Sequence, residues 1–295
     1  MIKNVLMLIL ATAIWGFGFV AAKWTFISFD PYWSTAVRYI LAAIFGMPYL
    51  IYKKSFTTKK PLVLKSIISS FFLLGLLLFQ TLGLNYTSVA KSGFITTLYA
   101  LFVPLTLMIL YRKKYRTAFW FLLLLALTGV GLMCNLEIKG VNLGDFLTLL
   151  CSLSAAFHII YIGKIANSID SAFEFNFLQN FFVAIFSTII AIFFTTKIEL
   201  NSFFNIQSYS LWGMIFLSLI SSLLAYSIQI HTQKKIPPHI AGLIFLTESP
   251  FAALFGFLFL SERLNAMNLV GAFCILLSVV LVPILGREVT TTQKE

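Results

Sequence analysis

Residues 239–260 read HIAGLIFLTESPFAALFGFLFL, twenty-two positions in which Glu248 is the only acid. Wound as a helix at 1.5 Å per residue, the stretch is about 33 Å long, enough to cross the roughly 30 Å hydrocarbon core of a bilayer. Glu248 then lies about 13 Å along it, close to the midplane. Pro250 cannot donate a backbone hydrogen bond, so the carbonyl near position 246 is freed and the helix is expected to kink there. A broken helix with an acid at mid-depth is what a transport site needs.

Working outward, nine more runs have the same character. The ten candidate spans are Val5–Phe26, Tyr32–Tyr52, Ser66–Tyr86, Ala90–Tyr111, Ala118–Asn135, Leu143–Gly163, Phe173–Thr195, Tyr209–His231, His239–Leu260 and Ala266–Gly286. The chain of 295 residues is 60% hydrophobic and 11% charged, with a mean hydropathy of +0.95. A soluble globular domain carries about a quarter charged residues, so that class is excluded. Continuous apolar runs rather than alternating ten-residue segments also exclude a β-barrel. The longest expected link, Lys53 to Lys65, leaves no room for a soluble domain.

Orientation follows from the cations. With the N-terminus in the cytoplasm, Lys3, the Lys53–Lys65 cluster, Arg112, Lys113, Lys114, Arg116, Lys164, Lys234, Lys235, Arg287 and Lys294 fall inside. Counting the five lysines of the cluster, that is fifteen inside against four outside: Lys91, Lys139, Lys197 and Arg263. The net charge of +11 is therefore a topology signal on cytoplasmic loops, where anionic lipid favours it, and the partners expected are lipid and a small molecule, with no nucleic acid. The expected location is the cell (inner) membrane, multi-pass, with both termini cytoplasmic and the protein a monomer or homodimer. Ala11-Thr12-Ala13 has the look of a signal-peptidase site, but the apolar stretch before it is short and apolar character continues to Ala22, so the segment is read as an uncleaved first span. Cys134, Cys151 and Cys274 are odd in number and lack ligand spacing, so neither a disulfide framework nor a metal or other cofactor is expected.

The two halves carry a faint repeat. At an offset of 141, Ala11–Lys23 meets Ser152–Lys164, and at 149, Gln80 meets Gln229 and Gly93 meets Gly242; Pro104 and Pro250 differ by 146. Five helices per half is an odd number, so the second half must insert upside down. The fold expected is an all-α membrane protein of ten transmembrane helices as two inverted five-helix repeats, residues 1–137 and 138–295. Such a plan places a substrate site near the midplane where the halves meet.

Trp15-Gly16, Phe19 and Lys23 in the first span, followed by Asp30-Pro31 and Arg38, resemble the opening of EamA-type transporters of the drug/metabolite superfamily. Ser88 through Tyr99 to Pro104 is similar to that family's fourth helix, and Glu248-Ser249-Pro250 through Ser261-Glu262-Arg263-Leu264 to Gly271 to its ninth helix and the turn into its tenth. The resemblance covers nearly the whole chain and implies a transporter of amino acids, nucleotide-like metabolites or drugs. One departure is that Tyr111-Arg112-Lys113-Lys114 stands in the first half where the second has the Ser-Glu-Arg turn.

An ionisable group inside a span costs several kcal/mol unless paired or hydrated, so each is a candidate for function. Glu248 is the first, read as a proton-binding switch or else a buried structural acid. Arg38, about 10 Å down its helix, needs an anion: a substrate carboxylate, or a structural partner such as Asp30 or Glu248. Lys23 is either a pathway residue at the outer mouth or a snorkelling anchor. His158, about 21 Å along its span, is a proton relay or a neutral inter-helix hydrogen-bonding residue. His231 and His239 bracket a cytoplasmic turn and read as interface residues. Trp15, beside Gly16 and Gly18, lies about 15 Å along its helix at the depth of Glu248 and is placed to floor a cavity. Tyr99 falls opposite Glu248 under the 149 offset. Trp15, Lys23, Arg38, Tyr99, His158 and Glu248 form the expected substrate site.

The spans contain no Ser/His/Asp spacing, no HExxH and no paired carboxylates, so an enzyme is not expected, while a channel without alternating access is the rival reading. Cysteines introduced as Lys59→Cys and Lys294→Cys are expected to react with a membrane-impermeant maleimide only from the cytoplasmic face. Labelling of either from outside would reverse the topology.

Overall fold

The computed structural model describes residues 2–53, 60–84, 86–87, 89–134, 140–195, 201, 204–261 and 263–285. Its main helices are α1 (Ile2–Thr25), α2 (Pro31–Lys53), α3 (Lys60–Leu84), α4 (Val89–Thr97), α5 (Tyr99–Tyr111), α6 (Thr117–Met133) and α7 (Leu143–Ile165) in the first part of the chain. There follow α8 (Ala172–Phe194), α9 (Tyr209–Thr232), α10 (Pro238–Phe245), α11 (Glu248–Leu260) and α12 (Ala266–Leu285). Among the described residues, eight helical segments are long and apolar enough to cross a bilayer, counting α4 with α5 and α10 with α11 as one each. The apolar stretches Thr117–Met133 and Ala266–Val282 are shorter. Lys54, Lys59, Lys139, Lys197, Glu262, Arg287 and Lys294 lie outside the described residues.

Helix is forced on these runs because hydrocarbon offers peptide groups no partner, so each segment must close its own hydrogen bonds. At some of the starts, where four donors are left open, side chains cap the helix. Asp30 accepts from the Tyr32 and Trp33 amides at 2.8 and 3.1 Å, starting α2. Asn142 and Asp145 form a reciprocal capping box at the start of α7, each side chain accepting from the other's amide at 3.0 and 2.9 Å.

The structure corrects several expectations. The third helix begins at Lys60 rather than Ser66, so the link after α2 is shorter than thirteen residues and Lys65 is helical, its ammonium donating to Ser168 Oγ at 2.8 Å. The fourth span is two helices, with a break at Leu98 that its sequence did not announce. The ninth breaks where expected, at Leu246–Thr247, yet the Leu246 carbonyl is not left open, because it accepts from the Ser249 amide at 3.2 Å. His239 is no interface residue: it is fully buried, its ring 4.6 Å from Tyr115 and 5.3 Å from Phe119, while His231 is exposed.

Helix packing repeats between the halves. α3 lies along α7 as α1 lies along α9, and α1 crosses α10 and α11 as α7 crosses α4 and α5. α2 packs on α8 and α6 on α12, so exchanging the halves maps these neighbours onto themselves. The α6–α12 crossing is made by backbone meeting backbone. A Cβ on Gly129 would stand 2.5 Å from the Gly271 carbonyl oxygen, and one on Gly271 would meet the Gly129 carbonyl in turn. Close approach of small residues replaces the hydrophobic drive that lipid cannot supply.

Gly129→Val or Gly271→Val is therefore expected to lose roughly 1–3 kcal/mol by overpacking, read as a lowered unfolding temperature in detergent. Gly93→Ala, whose new methyl would find only the Cys134 sulfur at 4.0 Å, is expected to leave that temperature unchanged. Equal behaviour of the three variants would mean that the crossing does not hold the helices.

Candidate functional site

The two broken helices bring the site together. α4 stops at Thr97 and α5 restarts at Tyr99; α10 stops at Phe245 and α11 restarts at Glu248. At each break the chain tightens to i→i−3 bonding, Leu98 to Ile95 at 3.2 Å and Thr247 to Ile244 at 3.0 Å. Both second halves end on a left-handed residue, Arg112 at φ 53° and Ser261 at φ 55°. Tyr99 and Glu248, like Arg112 and Ser261, stand 149 positions apart, so the backbone repeats where the sequences Tyr-Arg-Lys-Lys and Ser-Glu-Arg differ. Thr247 is fully buried and shares a 2.7 Å hydrogen bond with Thr12, tying the break in α10–α11 to α1.

Glu248, at the head of α11, is half-buried. It lies within electrostatic reach of Arg38 on α2, Tyr99 on α5, Tyr226 on α9 and Cys151 on α7. Arg38 does not bond Asp30, which is occupied in capping α2 and in accepting from Thr195 Oγ1 at 2.7 Å. Its guanidinium is held by two consecutive serines: Nε donates to Ser222 Oγ at 2.7 Å and Nη2 to Ser221 Oγ at 2.9 Å. A guanidinium has five N–H donors, so three remain for another acceptor.

Trp15 packs its ring 5.0 Å from Tyr226 and edge-on to Phe245 at 5.4 Å. Its indole N–H is buried without a hydrogen-bond partner among the described residues. Such a donor costs free energy unless an acceptor reaches it. Tyr99 is buried and belongs to the same core as α10. His158 is buried with Nε2 3.1 Å from Gln179 Oε1, and its ring is edge-on to Tyr226 at 6.0 Å. Because Gln179 Oε1 can only accept and also takes the Ser69 hydroxyl, Nε2 carries the hydrogen. Lys23 is exposed in the last turn of α1, about 12 Å beyond Trp15.

Of the six residues read from the sequence, four, Trp15, Arg38, Tyr99 and Glu248, gather around Tyr226 and the α10–α11 break. His158 touches the same tyrosine but is committed to Gln179, and Lys23 is exposed two turns further along α1. Sequence reasoning missed Tyr226, Ser221, Ser222, Asn176 and Gln179. These uncharged polar groups inside apolar runs carried a weaker signal, because one such group costs far less in a membrane than a charge. A separate shallow crevice between α2, α3 and α8, lined by Thr35, Leu78, Thr81 and Ile190 among others, includes none of these residues.

An EamA-like transporter family pattern matches residues 2–135 and again residues 142–283. An "Uncharacterized transporter" of Archaeoglobus fulgidus (strain ATCC 49558 / DSM 4304 / JCM 9628 / NBRC 100126 / VC-16) is 31% identical over 275 residues, covering 93% of this chain and 84% of that protein. A solved crystal structure superposes with a TM-score of 0.79 over 97% of this chain and 98% of its own, at 15% identity, a likeness of fold. With two family matches in tandem, each containing one of the broken helices, this chain belongs to the EamA-like transporter family and is a multi-pass membrane transporter.

Proposed function

We propose that the protein is a secondary transporter that moves a small amphipathic metabolite, amino acid-like and carboxylate-bearing, by alternating access in the cell (inner) membrane with both termini cytoplasmic. Ten helices cross the bilayer, as two inverted five-helix repeats, residues 1–137 and 138–295. The seventeen residues of α6 make about 26 Å of helix, at the short end of what spans hydrocarbon, and its partner α12 has twenty. An exchange of halves that preserves helix neighbours supports the repeat, and five helices per half make it inverted.

The observation that carries this reading is that Tyr99 and Glu248 head the second halves of two helices broken at matching places, with Arg38 within reach of the acid. The N-terminus of each half-helix carries a positive dipole end, a setting that suits an anionic group of the substrate. In this reading Arg38 takes the carboxylate, Trp15 and Tyr226 carry the apolar body, and the Trp15 indole N–H and the Tyr99 hydroxyl complete the polar contacts. Lys23 attracts anions at the outer mouth, and His158 braces the wall behind Tyr226.

Glu248 is the group that couples transport to the proton gradient. A ligand shifts a two-state equilibrium only through differential affinity, and a proton on Glu248 changes how the acid meets Arg38 in the two states. In this reading either side of the membrane reaches the carboxyl only in turn.

In liposomes, labelled phenylalanine and 3-phenylpropionate are expected to be transported faster than phenethylamine, which lacks the carboxylate. Preference for the amine would reverse the assignment of Arg38. Glu248→Gln keeps size and hydrogen bonding while staying neutral, and is expected to fold and insert normally, to lose uptake driven by a pH gradient at least tenfold, and to retain substrate exchange. Gradient-driven rates equal to wild type would remove Glu248 from the coupling. Loss of folding would assign it instead to structure.

A further inference from the structure

α9 leaves α-helical winding for ten residues, Phe216–Ala225, which are π-helical, whereas π geometry in proteins is mostly a single-turn bulge. The long π stretch explains how Arg38 is held. In an α-helix consecutive side chains diverge by about 100° and do not face each other. Closure from i to i+5 widens the turn and lessens the rotation between neighbours, so that Ser221 and Ser222 both reach one guanidinium.

Poor intrinsic stability of π winding calls for support from outside the helix, and α8 supplies it. Asn176 is fully buried. Its Nδ2 donates to the carbonyls of Ser222 and Leu223 at 2.8 and 2.9 Å, with Ser227 Oγ at 3.1 Å, and Asn180 Nδ2 adds a bond to the Ser222 carbonyl at 3.2 Å. The amide is fixed the right way round by its neighbours. Gln179 Nε2 faces Asn176 Oδ1 at 3.4 Å, while Gln179 Oε1 accepts from Ser69 on α3 and His158 on α7. A fully connected chain thus runs from His158 through Gln179 and Asn176 to the backbone of the serines that grip Arg38. Within hydrocarbon, each of these groups has no alternative partner in water, which makes the arrangement specific.

We propose that Asn176 is a positioning residue for Arg38: by holding the Ser222 and Leu223 carbonyls it keeps α9 in π winding and so presents Ser221 and Ser222 together to the guanidinium. Without that hold α9 relaxes toward α-helix, one serine rotates away, and Arg38 loses half of its grip. The consequence for transport rests on the assignment of Arg38 to the substrate; the hold on the guanidinium does not.

Two readouts on purified full-length protein separate the two. The first is the rate at which phenylglyoxal modifies Arg38, followed by mass spectrometry of its peptide, and needs no substrate. Asn176→Asp keeps the shape but turns an acceptor toward the carbonyls, and the double variant S221A/S222A removes the grip directly. Both are expected to raise the Arg38 modification rate at least fivefold, and combining them is expected to give no further increase, because they act on one contact. Asn176→Ser, which retains a donor, is expected to give a smaller increase and is decisive if Asn176→Asp does not assemble. An unchanged rate in the Asn176 variants, or effects that multiply with those of S221A/S222A, would overturn the proposal. The second readout is KM for labelled phenylalanine, expected to rise in the same order with little change in maximal rate. Faster modification with unchanged KM would keep Asn176 as the residue that positions Arg38 and would remove Arg38 from the substrate site.

Discussion

Hydrocarbon offers peptide groups no partner, and the structure is organised around that constraint. Unbroken helices answer it without help, and most of the chain is made of them. Function needs backbone that is not in regular helix, and such backbone is tolerated at membrane depth only where protein or an internal crevice satisfies it. Among the described residues, the protein departs from regular α-helix inside the bundle at three places: Leu98, Leu246–Thr247 and the π stretch of α9. All three surround Glu248, Arg38 and Tyr226, and each has its loose groups taken up by tightened i→i−3 bonds or by side chains of neighbouring helices.

The chemistry of the satisfying groups differs from break to break. At Leu246–Thr247 a threonine pair, Thr12 and Thr247, ties the helix to α1, and Leu246 bonds Ser249. Along α9 the work falls to amides of α8, which have two donors and an acceptor in a rigid plane and can therefore bridge two carbonyls at once. The charged groups themselves are few. Arg38 is met by hydroxyls rather than by a carboxylate contact, leaving donors unspent, and Glu248 is within electrostatic reach without being locked to it. A tight buried ion pair would have favoured structure over exchange of ligands.

Between the halves, backbone geometry is retained where side chains have diverged. Arg112 and Ser261 occupy the same left-handed position, one inside a basic cluster and the other in a Ser-Glu-Arg turn. The family's two matches on this chain reflect the same thing at lower resolution. Helix termination at that point depends on the conformation of one residue, and the flanking charges are free to follow membrane orientation.

What the sequence determined by itself was whatever follows from transfer energies. Apolar run length made the protein membrane-spanning and helical, the acid at 248 beside Pro250 marked one break, and the cost of charge in lipid singled out Arg38 and Glu248. The resemblance of the Glu248-Ser249-Pro250 and Trp15-Gly16 segments named a family that the comparisons bear out. The tertiary structure alone decided the rest. The break at Leu98 has no proline at the matching place, since Pro104 lies six residues on, and its two halves pack against α7 and, for α5, α10. Asn176, Gln179, Ser221, Ser222 and Tyr226 gave only a weak sequence signal, because uncharged polar groups cost little alone and acquire meaning through partners on other helices. His239, read as an interface residue because with His231 it brackets a cytoplasmic turn, is buried because Tyr115 and Phe119, more than a hundred residues earlier, close over it. Hydropathy is a property of each residue and its near neighbours; hydrogen-bond partnership across helices belongs to the fold.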